Sequence, residues 1–516
     1  MKNLKIAFKK SFSWGLIPIF IIALILRWWY LPAKAIFFSF DQGRDAFIVQ
    51  EILGGHLKVL GPPVSGVPGL FNGALYYYVI APFYLLGHGS PIVVSYWFSF
   101  LNALGIFVIY YLVYFLTKKR TPSIVSAFIY ACSYEASQYA NLITNASMAE
   151  WFIPLFYIGL YLWITKKWKW APVLAAFGLG FSLQSEIARA FNFVPLVVWL
   201  FLYRKNINLK QILIFIVALI FSVLPMIISE IKFGFTGISG LIYLLTRQDK
   251  ITQSISAIDF VKRFLLQSSE TLSYTLFPAN IVIGGILGFG IVLFSIYKTI
   301  KDKNKKEFPW APFLAFAIFS YVLALPFGGW NMRHIMVGTS AEIAAFAGIF
   351  IWKYFDKKTL ILLIIIAIIS FSNIYQILKD NIHGQIIFSL DSDLVLSTET
   401  QVLDYVYLEA GGKPFSISTL TSPLFINTTW SYLFNWYGKT KYGYLPYWIG
   451  RDQIGQLGND LKNPPKGVTK HFFISESTFG IPDIYVTYAN GDQDSMSKLI
   501  NQKKFGQIIV QEREIR

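Results

Sequence analysis

Twelve apolar runs occupy the first three quarters of the chain, near 13–31, 73–87, 91–116, 121–140, 148–165, 170–185, 188–203, 210–230, 274–298, 309–327, 334–354 and 359–378. Most approach the ~20 residues that a helix needs to cross a hydrocarbon core, and soluble chains do not repeat such runs. The run at 73–87 departs from the pattern. It is only about fifteen residues long, contains Pro82 and carries Tyr76, Tyr77 and Tyr78 near its start. Aromatic residues gather at the membrane–water boundary, so this run predicts an interfacial or re-entrant helix. From about residue 380 the long runs stop. Alternations at Phe415–Ser418 and His471–Ser475 predict strands, and Thr398–Leu408 and Asp494–Lys503 predict helices. Gly411-Gly412, Asn463-Pro464-Pro465 and Asn490-Gly491-Asp492 mark breaks between them.

Charge sets the topology. The net charge is +17, yet only 14% of residues are charged and mean hydropathy is +0.51. Soluble domains carry roughly a quarter charged residues. The basic excess sits in short clusters between apolar runs, which argues against nucleic acid as a partner. With the basic N-terminus (Lys2, Lys5, Lys9, Lys10) in the cytoplasm and 73–87 not spanning, a set of clusters falls inside together. These are Lys118-Lys119-Arg120, Lys166-Lys167-Trp168-Lys169, Arg204-Lys205, Lys298 to Lys306 and Lys353 to Lys358. If 73–87 spanned, all would lie outside, against the positive-inside bias. The expectation is an α-helical polytopic membrane domain, 1–379, with about eleven spans. A small α/β domain, 380–516, follows outside the cytoplasm. The N-terminal segment has no small-residue cleavage site and reads as an uncleaved first span. Cys132 is the single cysteine, so no intrachain disulfide forms.

This topology makes 32–90 the first outer segment, and candidate chemistry collects there. Asp41 stands where a helix cap would stand, ahead of the periodic residues Phe47, Ile48, Ile52 and Leu53. A capping carboxylate can also face a cavity, so both roles stay open. Asp45 lies one turn on, and Arg44 beside it suits pairing with a carboxylate or a phosphate. Sugar transfer from a lipid-phosphate donor to a hydroxyl needs a base near the acceptor and cations near the leaving phosphate. Asn72, Tyr76 and Tyr77 face either a sugar or headgroup, or serve as ordinary interface anchors. Glu186 and Arg189 occupy a short outer turn at i, i+3. They form a mutual salt bridge or line a polar cavity. Asn331-Met332-Arg333-His334 opens a span on the outer side, where Arg333 and His334 suit phosphate binding or an interfacial anchor. Glu135, Asn145 and Glu150 flank another outer turn. There is no Walker loop, dinucleotide fingerprint, HExxH motif or Cys/His metal spacing. His56 and His88 are isolated, so no metal or other cofactor is expected, and a divalent metal has no support in the sequence.

The series Asp41-Gln42-Gly43-Arg44-Asp45-Ala46, Gly61-Pro62-Pro63 and Leu75-Tyr76-Tyr77-Tyr78 with Ala81-Pro82-Phe83, following a first span, resembles the GT-C superfamily. It is similar in particular to family 39-like enzymes related to protein O-mannosyltransferases and lipid A aminoarabinose transferases. Asn141 to Phe156, Gly180 to Gln184 and the tail around Ala410–Pro414 and Tyr432–Pro446 are similar to further family segments. The resemblance implies inverting transfer of a sugar from a polyprenyl-phosphate donor to a protein, lipid or glycan outside the cytoplasm. It implies that Asp41 is the catalytic carboxylate, and it maps a family arginine onto Arg44. The chain departs from the pattern in three places. Gln42 replaces the second acid of eukaryotic relatives, Glu186 stands at a frequent histidine, and Gly61 at a lysine. Arg333 is the candidate for the missing cation. A transporter or flippase of lipid-linked saccharides would want charges along its spans. Here the ionisable residues cluster at span ends, which favours the enzyme. A polysaccharide-assembly scaffold is the third reading.

Overall fold

The computed structural model describes residues 13–64, 67–246, 256–302, 307–327, 333–384, 387, 394–424, 426–450, 461–478 and 481–516. Lys2, Lys5, Lys9, Lys10, Gly66, Lys303, Lys305, Lys306, Asn331 and Met332 lie outside the described residues. Two compact units emerge. One comprises the chain up to Trp29, Lys58–Tyr76 and Trp97–Lys379; the other comprises Tyr30–Leu57, Tyr77–Tyr96 and the chain from Asp380 onward.

The chain is a multi-pass membrane protein. Among the described residues, five helices are long and apolar enough to cross a bilayer: Leu16–Ala33, Pro91–Thr117, Ala146–Ile164, Ile281–Lys301 and Thr359–His383. A sixth arises if Leu209–Ser222 and Leu224–Lys232, bent by 62°, form one span. This is fewer than the eleven expected, because other apolar runs fold as shorter pieces. Ala171–Ser185, Ile187–Leu202 and Trp310–Leu325 are each under that length. The run at 121–140 breaks at Ser133 into Arg120–Cys132 and Tyr134–Ala140. The Ser133 hydroxyl accepts from the Ala136 N–H at 3.2 Å and so starts a new helix. The helix Leu75–Leu86 has 12 residues. At about 1.5 Å per residue it rises about 18 Å, short of a ~30 Å hydrocarbon core.

The first unit packs its helices through small residues. A Cβ on Gly159 would collide with the Ala175 backbone, and one on Gly178 with that of Phe156. The helices Ala149–Ile164 and Ala171–Ser185 therefore touch backbone to backbone, as membrane helices with small interface residues do. Arg27, fully buried near the end of the first helix, bonds Asn102 Oδ1 at 2.7 Å and the carbonyls of Ala23, Ala131 and Tyr130. A buried guanidinium saturated in this way staples three stretches of chain. Strands β1 (Leu60–Pro63) and β2 (Phe71–Gly73) form a small antiparallel pair here.

The second unit is built on a five-stranded sheet. Its strands are β3 (Ser416–Leu420), β4 (Tyr447–Trp448), β5 (Lys470–Ser475), β6 (Ser497–Phe505) and β7 (Ile508–Ile515). The order is β4-β3-β5-β7-β6; β3 runs parallel to β4 and β5, whereas β7 runs antiparallel to both its neighbours. The strands at 415–418 and 471–475 and the helix near 398–408 match expectation, the helix running Leu396–Ala410 with Gly411 as its left-handed C-cap. Two expectations need correction. Residues 494–503 are not a helix: the helix Asp483–Met496 ends there and β6 takes over. Asn490-Gly491-Asp492 is no break but lies inside that helix. The missed signal is Gly506 (φ 57), which closes a tight turn and lets β6 pair with β7 along its length. The pairing outweighs the helical propensity of 494–503. Within this unit residues 34–38 join the tail through backbone. The Phe38 N–H donates to the Leu394 carbonyl, and those of Leu396 and Ser397 to the carbonyls of Ile36 and Lys34.

His471, on β5, is buried beside β3, where it pairs with Ser416. Its Nδ1 is 2.8 Å from Ser416 Oγ, and its Nε2 is 2.9 Å from Ser418 Oγ and 3.0 Å from Gln493 Oε1. With Nε2–H donating to Gln493, Nδ1 accepts from Ser416 and the ring is neutral. Burial, with Arg513 nearby, pushes its pKa down to about 4. An unfolded histidine titrates near 6.5. Between these values the unfolded chain binds a proton that the folded ring refuses, so stability falls as pH drops through that window, by up to about 3 kcal/mol. The melting temperature of the tail should fall between pH 6.5 and pH 4, and His471→Gln should flatten that fall. An equal pH slope in the variant would assign the effect elsewhere.

Candidate functional site

The Asp41 helix runs Phe40–Leu53. Its cap is Ser39, not Asp41. Gln42 Oε1 accepts from the Ser39 N–H at 3.0 Å and from the Ser39 hydroxyl at 2.9 Å, one half of a capping box. The S-x-x-Q spacing was present in the sequence as the signal. Relieved of capping, the Asp41 side chain is 57% exposed on the first turn, near the positive end of the helix dipole.

Arg44 holds two carboxylates at once. Its Nη1 donates to Asp41 Oδ1 at 2.7 Å, while Nη2 and Nε donate to Asp45 Oδ1 at 2.7 and 2.9 Å. The Tyr77 hydroxyl donates to the same Asp45 oxygen at 3.4 Å. Asp45 is 2% exposed and Arg44 12%. Burial pushes the Asp45 carboxyl up to about 6, against the pull of Arg44. Arg44 pays for its burial, but Asp45 and Asp41 more than offset that, and its pKa is raised. The arrangement is graded: an enclosed acid, a braced cation and an open acid within one helical turn.

The remaining candidates belong to the first unit, where several bond to backbone. The Asn72 side chain accepts from the Ile187 N–H at 3.0 Å, and the Tyr76 hydroxyl donates to the Ile143 carbonyl at 3.0 Å. The expected Glu186–Arg189 salt bridge does not form. Glu186 Oε1 accepts from the Ala188 N–H at 3.4 Å, and its other oxygen lies 3.7 Å from His334 Nε2. The turn Ile187–Asn192 is a tight one, and Glu186 caps its start. Arg333 donates to Glu270 at 2.5 Å and lies over the Tyr274 ring. Arg189 is 1% exposed, and its Nε and Nη2 have no hydrogen-bond partner among the described residues.

Buried acids that the sequence reading passed over or ranked low surround these groups. Glu150 accepts from Ser340 at 2.8 Å, Tyr130 at 3.2 Å and the Gly338 N–H at 3.2 Å. Glu135 accepts from Thr275 at 3.1 Å and Tyr139 at 3.4 Å. Glu342 is fully buried. Apolar periodicity hides a lone glutamate inside a span, so only its cost in lipid signals it. No cluster of three or more His, Cys, Asp or Glu side chains suited to a metal occurs among the described residues.

No protein-family model matches the chain, and no curated protein matches it. Solved structures do. ArnT from Cupriavidus metallidurans bound to undecaprenyl phosphate is similar with a TM-score of 0.60 at 10% identity, covering 97% of this chain and 98% of that one. The same protein in the apo state gives 0.58 at 10% identity, covering 96% and 98%. The archaeal oligosaccharyltransferase AglB from Archaeoglobus fulgidus, in complex with an inhibitory peptide and a dolichol-phosphate, gives 0.48 at 13% identity, covering 77% and 58%. ArnT and AglB are GT-C fold members, and the likeness to ArnT over nearly the whole of both chains shows that this chain has the GT-C fold.

Proposed function

We propose that the protein is a membrane glycosyltransferase. It moves a sugar, hexose or pentose, from a polyprenyl-phosphate donor to an extracytoplasmic protein, lipid or glycan by inverting displacement. The observation that carries this reading is the open Asp41 carboxylate held by Arg44 on the first turn of its helix. The undecaprenyl phosphate bound to ArnT supports the donor class.

In this reading Asp41 takes the proton of the acceptor hydroxyl as that oxygen attacks the anomeric carbon. The bond from that carbon to the phosphate oxygen breaks on the opposite face, and polyprenyl phosphate leaves with the electron pair. Asp45 and Tyr77 position Arg44, and Arg44 fixes the Asp41 rotamer. Arg189, whose buried Nε and Nη2 have no hydrogen-bond partner among the described residues, and Arg333 are the first unit's candidates for a phosphate. His334 and Glu186 shape their surroundings, with Asn72 and Tyr76 as anchors. The N-terminus is cytoplasmic and the tail lies outside.

Three outcomes are expected. With reconstituted protein and radiolabelled undecaprenyl-phosphate hexoses, Asp41→Asn should lower transfer or hydrolysis by about 10²–10⁴-fold, the usual worth of a general base. Unchanged turnover would remove Asp41 from the chemistry.

The second outcome concerns pH. The ionised Asp45 is the form that braces Arg44, so kcat/KM should fall as pH drops through about 6. Asp45→Asn should be slow throughout and lack that limb. The stability effect has the opposite sign: between the ordinary aspartate value and about 6 the fold keeps a proton that the unfolded chain releases, so this contribution declines as pH rises.

Third, a cysteine at the exposed His56, in a Cys132→Ser background, should react with an impermeant thiol reagent added outside intact cells. Labelling only after permeabilisation would reverse the topology.

A further inference from the structure

The helix Thr428–Leu433 lies within the same unit as the Asp41 helix, although the two are far apart in sequence. Their contact is close. A Cβ placed on Gly43 would meet Thr429 Cα at 3.1 Å and the Thr428 carbonyl oxygen at 3.3 Å. Gly43 sits between Asp41 and Arg44, so the tail's backbone bears on the turn that carries the candidate acid.

Tyr432 extends this contact in three directions. Its ring meets Phe47 edge-on at 5.2 Å, one turn beyond Gly43 on the Asp41 helix, and Phe38, just before the cap, at 5.8 Å. On the helix Leu75–Leu86 it meets Tyr84 edge-on at 6.4 Å. Its hydroxyl donates to the Gly89 carbonyl at 2.7 Å, in the turn that follows that helix. Tyr432 is fully buried. One side chain thus touches both the helix that carries Asp41, Arg44 and Asp45 and the helix that carries Tyr77, which bonds Asp45.

We propose that Tyr432 is a positioning residue, holding these two helices at the spacing that lets Tyr77 bond Asp45, the acid that braces Arg44 beside Asp41. The inference rests on the reading of Asp41 as the residue that acts on substrate. The tail domain is on this account an integral part of the catalytic apparatus, supplying a wedge between the two helices. Tyr432 reaches no substrate itself, so its effect falls on kcat more than on donor KM.

The test uses the full chain, reconstituted, with the undecaprenyl-phosphate hexose that supports the fastest turnover. Misplacement of a reacting group by about 1 Å costs about 10²-fold, so Tyr432→Ala should lower kcat by roughly that factor with donor KM within about twofold. Tyr432→Phe keeps the ring contacts and should recover most of kcat. Phe472→Ala, in the buried β5 core, serves as a control for general loss of tail stability. It should melt at least as early as Tyr432→Ala yet keep its kcat. If the two variants lose kcat in proportion to their melting temperatures, or if Phe does not restore it, the positioning role is overturned. Should Tyr432→Ala fail to insert, Tyr432→Leu decides: it fills the buried site without the ring contacts or the hydroxyl, a kcat loss without a matching fall in melting temperature supports the role, and an unchanged kcat overturns it. An active Asp41→Asn would instead overturn the underlying catalytic reading, whatever Tyr432 does.

Discussion

A carboxylate taken out of water must find a cation or lose its charge, and Asp45 is the place where that constraint governs this protein. The desolvation penalty for an enclosed ion is several kcal/mol, and removal of one partner from a buried pair is strongly destabilising. Asp45 is enclosed, so Arg44 has to fold back onto it with two nitrogens. That posture leaves Nη1 directed at Asp41, one turn earlier. The exposed acid is therefore held by a cation whose own position is set from below. The same constraint recurs in the first unit, where Arg27 takes a side-chain amide and three carbonyls and Glu150 takes two hydroxyls and an N–H.

Much of this was legible in the sequence, and the rest was not for identifiable reasons. The cluster of Asp41, Arg44 and Asp45 could be read because local spacing on a helix determines who meets whom. The cap was misplaced by two residues, since aspartate and serine compete as caps and only the Ser39–Gln42 bond decides between them. Glu186 and Arg189 had the spacing of a pair, but that rule assumes an α-helix; here Glu186 stands at the cap of a tight turn and its carboxylate accepts from the Ala188 N–H. The tail's last strands were mistaken for helix because β6 owes its form to pairing with β7. Hydropathy sees apolar residues, not the breaks that a residue such as Ser133 introduces, so apolar runs and long helices do not correspond one to one.

Long-range contacts were invisible from sequence altogether. Gly43 reads as a small residue on a helix, and nothing in its neighbourhood announces that Thr428 and Thr429 lie against it. Tyr432 likewise reads as one aromatic among thirty tyrosines. A boundary drawn at residue 380 follows composition, whereas compactness groups Tyr30–Leu57 and Tyr77–Tyr96 with the tail. Composition reports where a segment meets lipid or water. It does not report which segments share a core.

The likeness to ArnT shows how loosely residues and fold are coupled here. At 10% identity nine side chains in ten differ, yet the backbone path is retained over nearly both chains. What survives such divergence is the pattern that every spanning helix must obey: apolar surface toward lipid, satisfied backbone, small residues at close contacts. That pattern specifies architecture and is silent about chemistry, so the functional argument has to stand on particular groups. In this chain the proposed group is an open carboxylate on a capped first turn. Its Arg44 contact, the Asp45–Tyr77 brace beneath it and the Gly43 seat on the tail converge on one orientation of Asp41. One direct contact on the exposed acid, a brace behind its cation and a packed seat behind its turn are more order than a surface helix needs for stability, and that surplus is the physical reason to look for chemistry there.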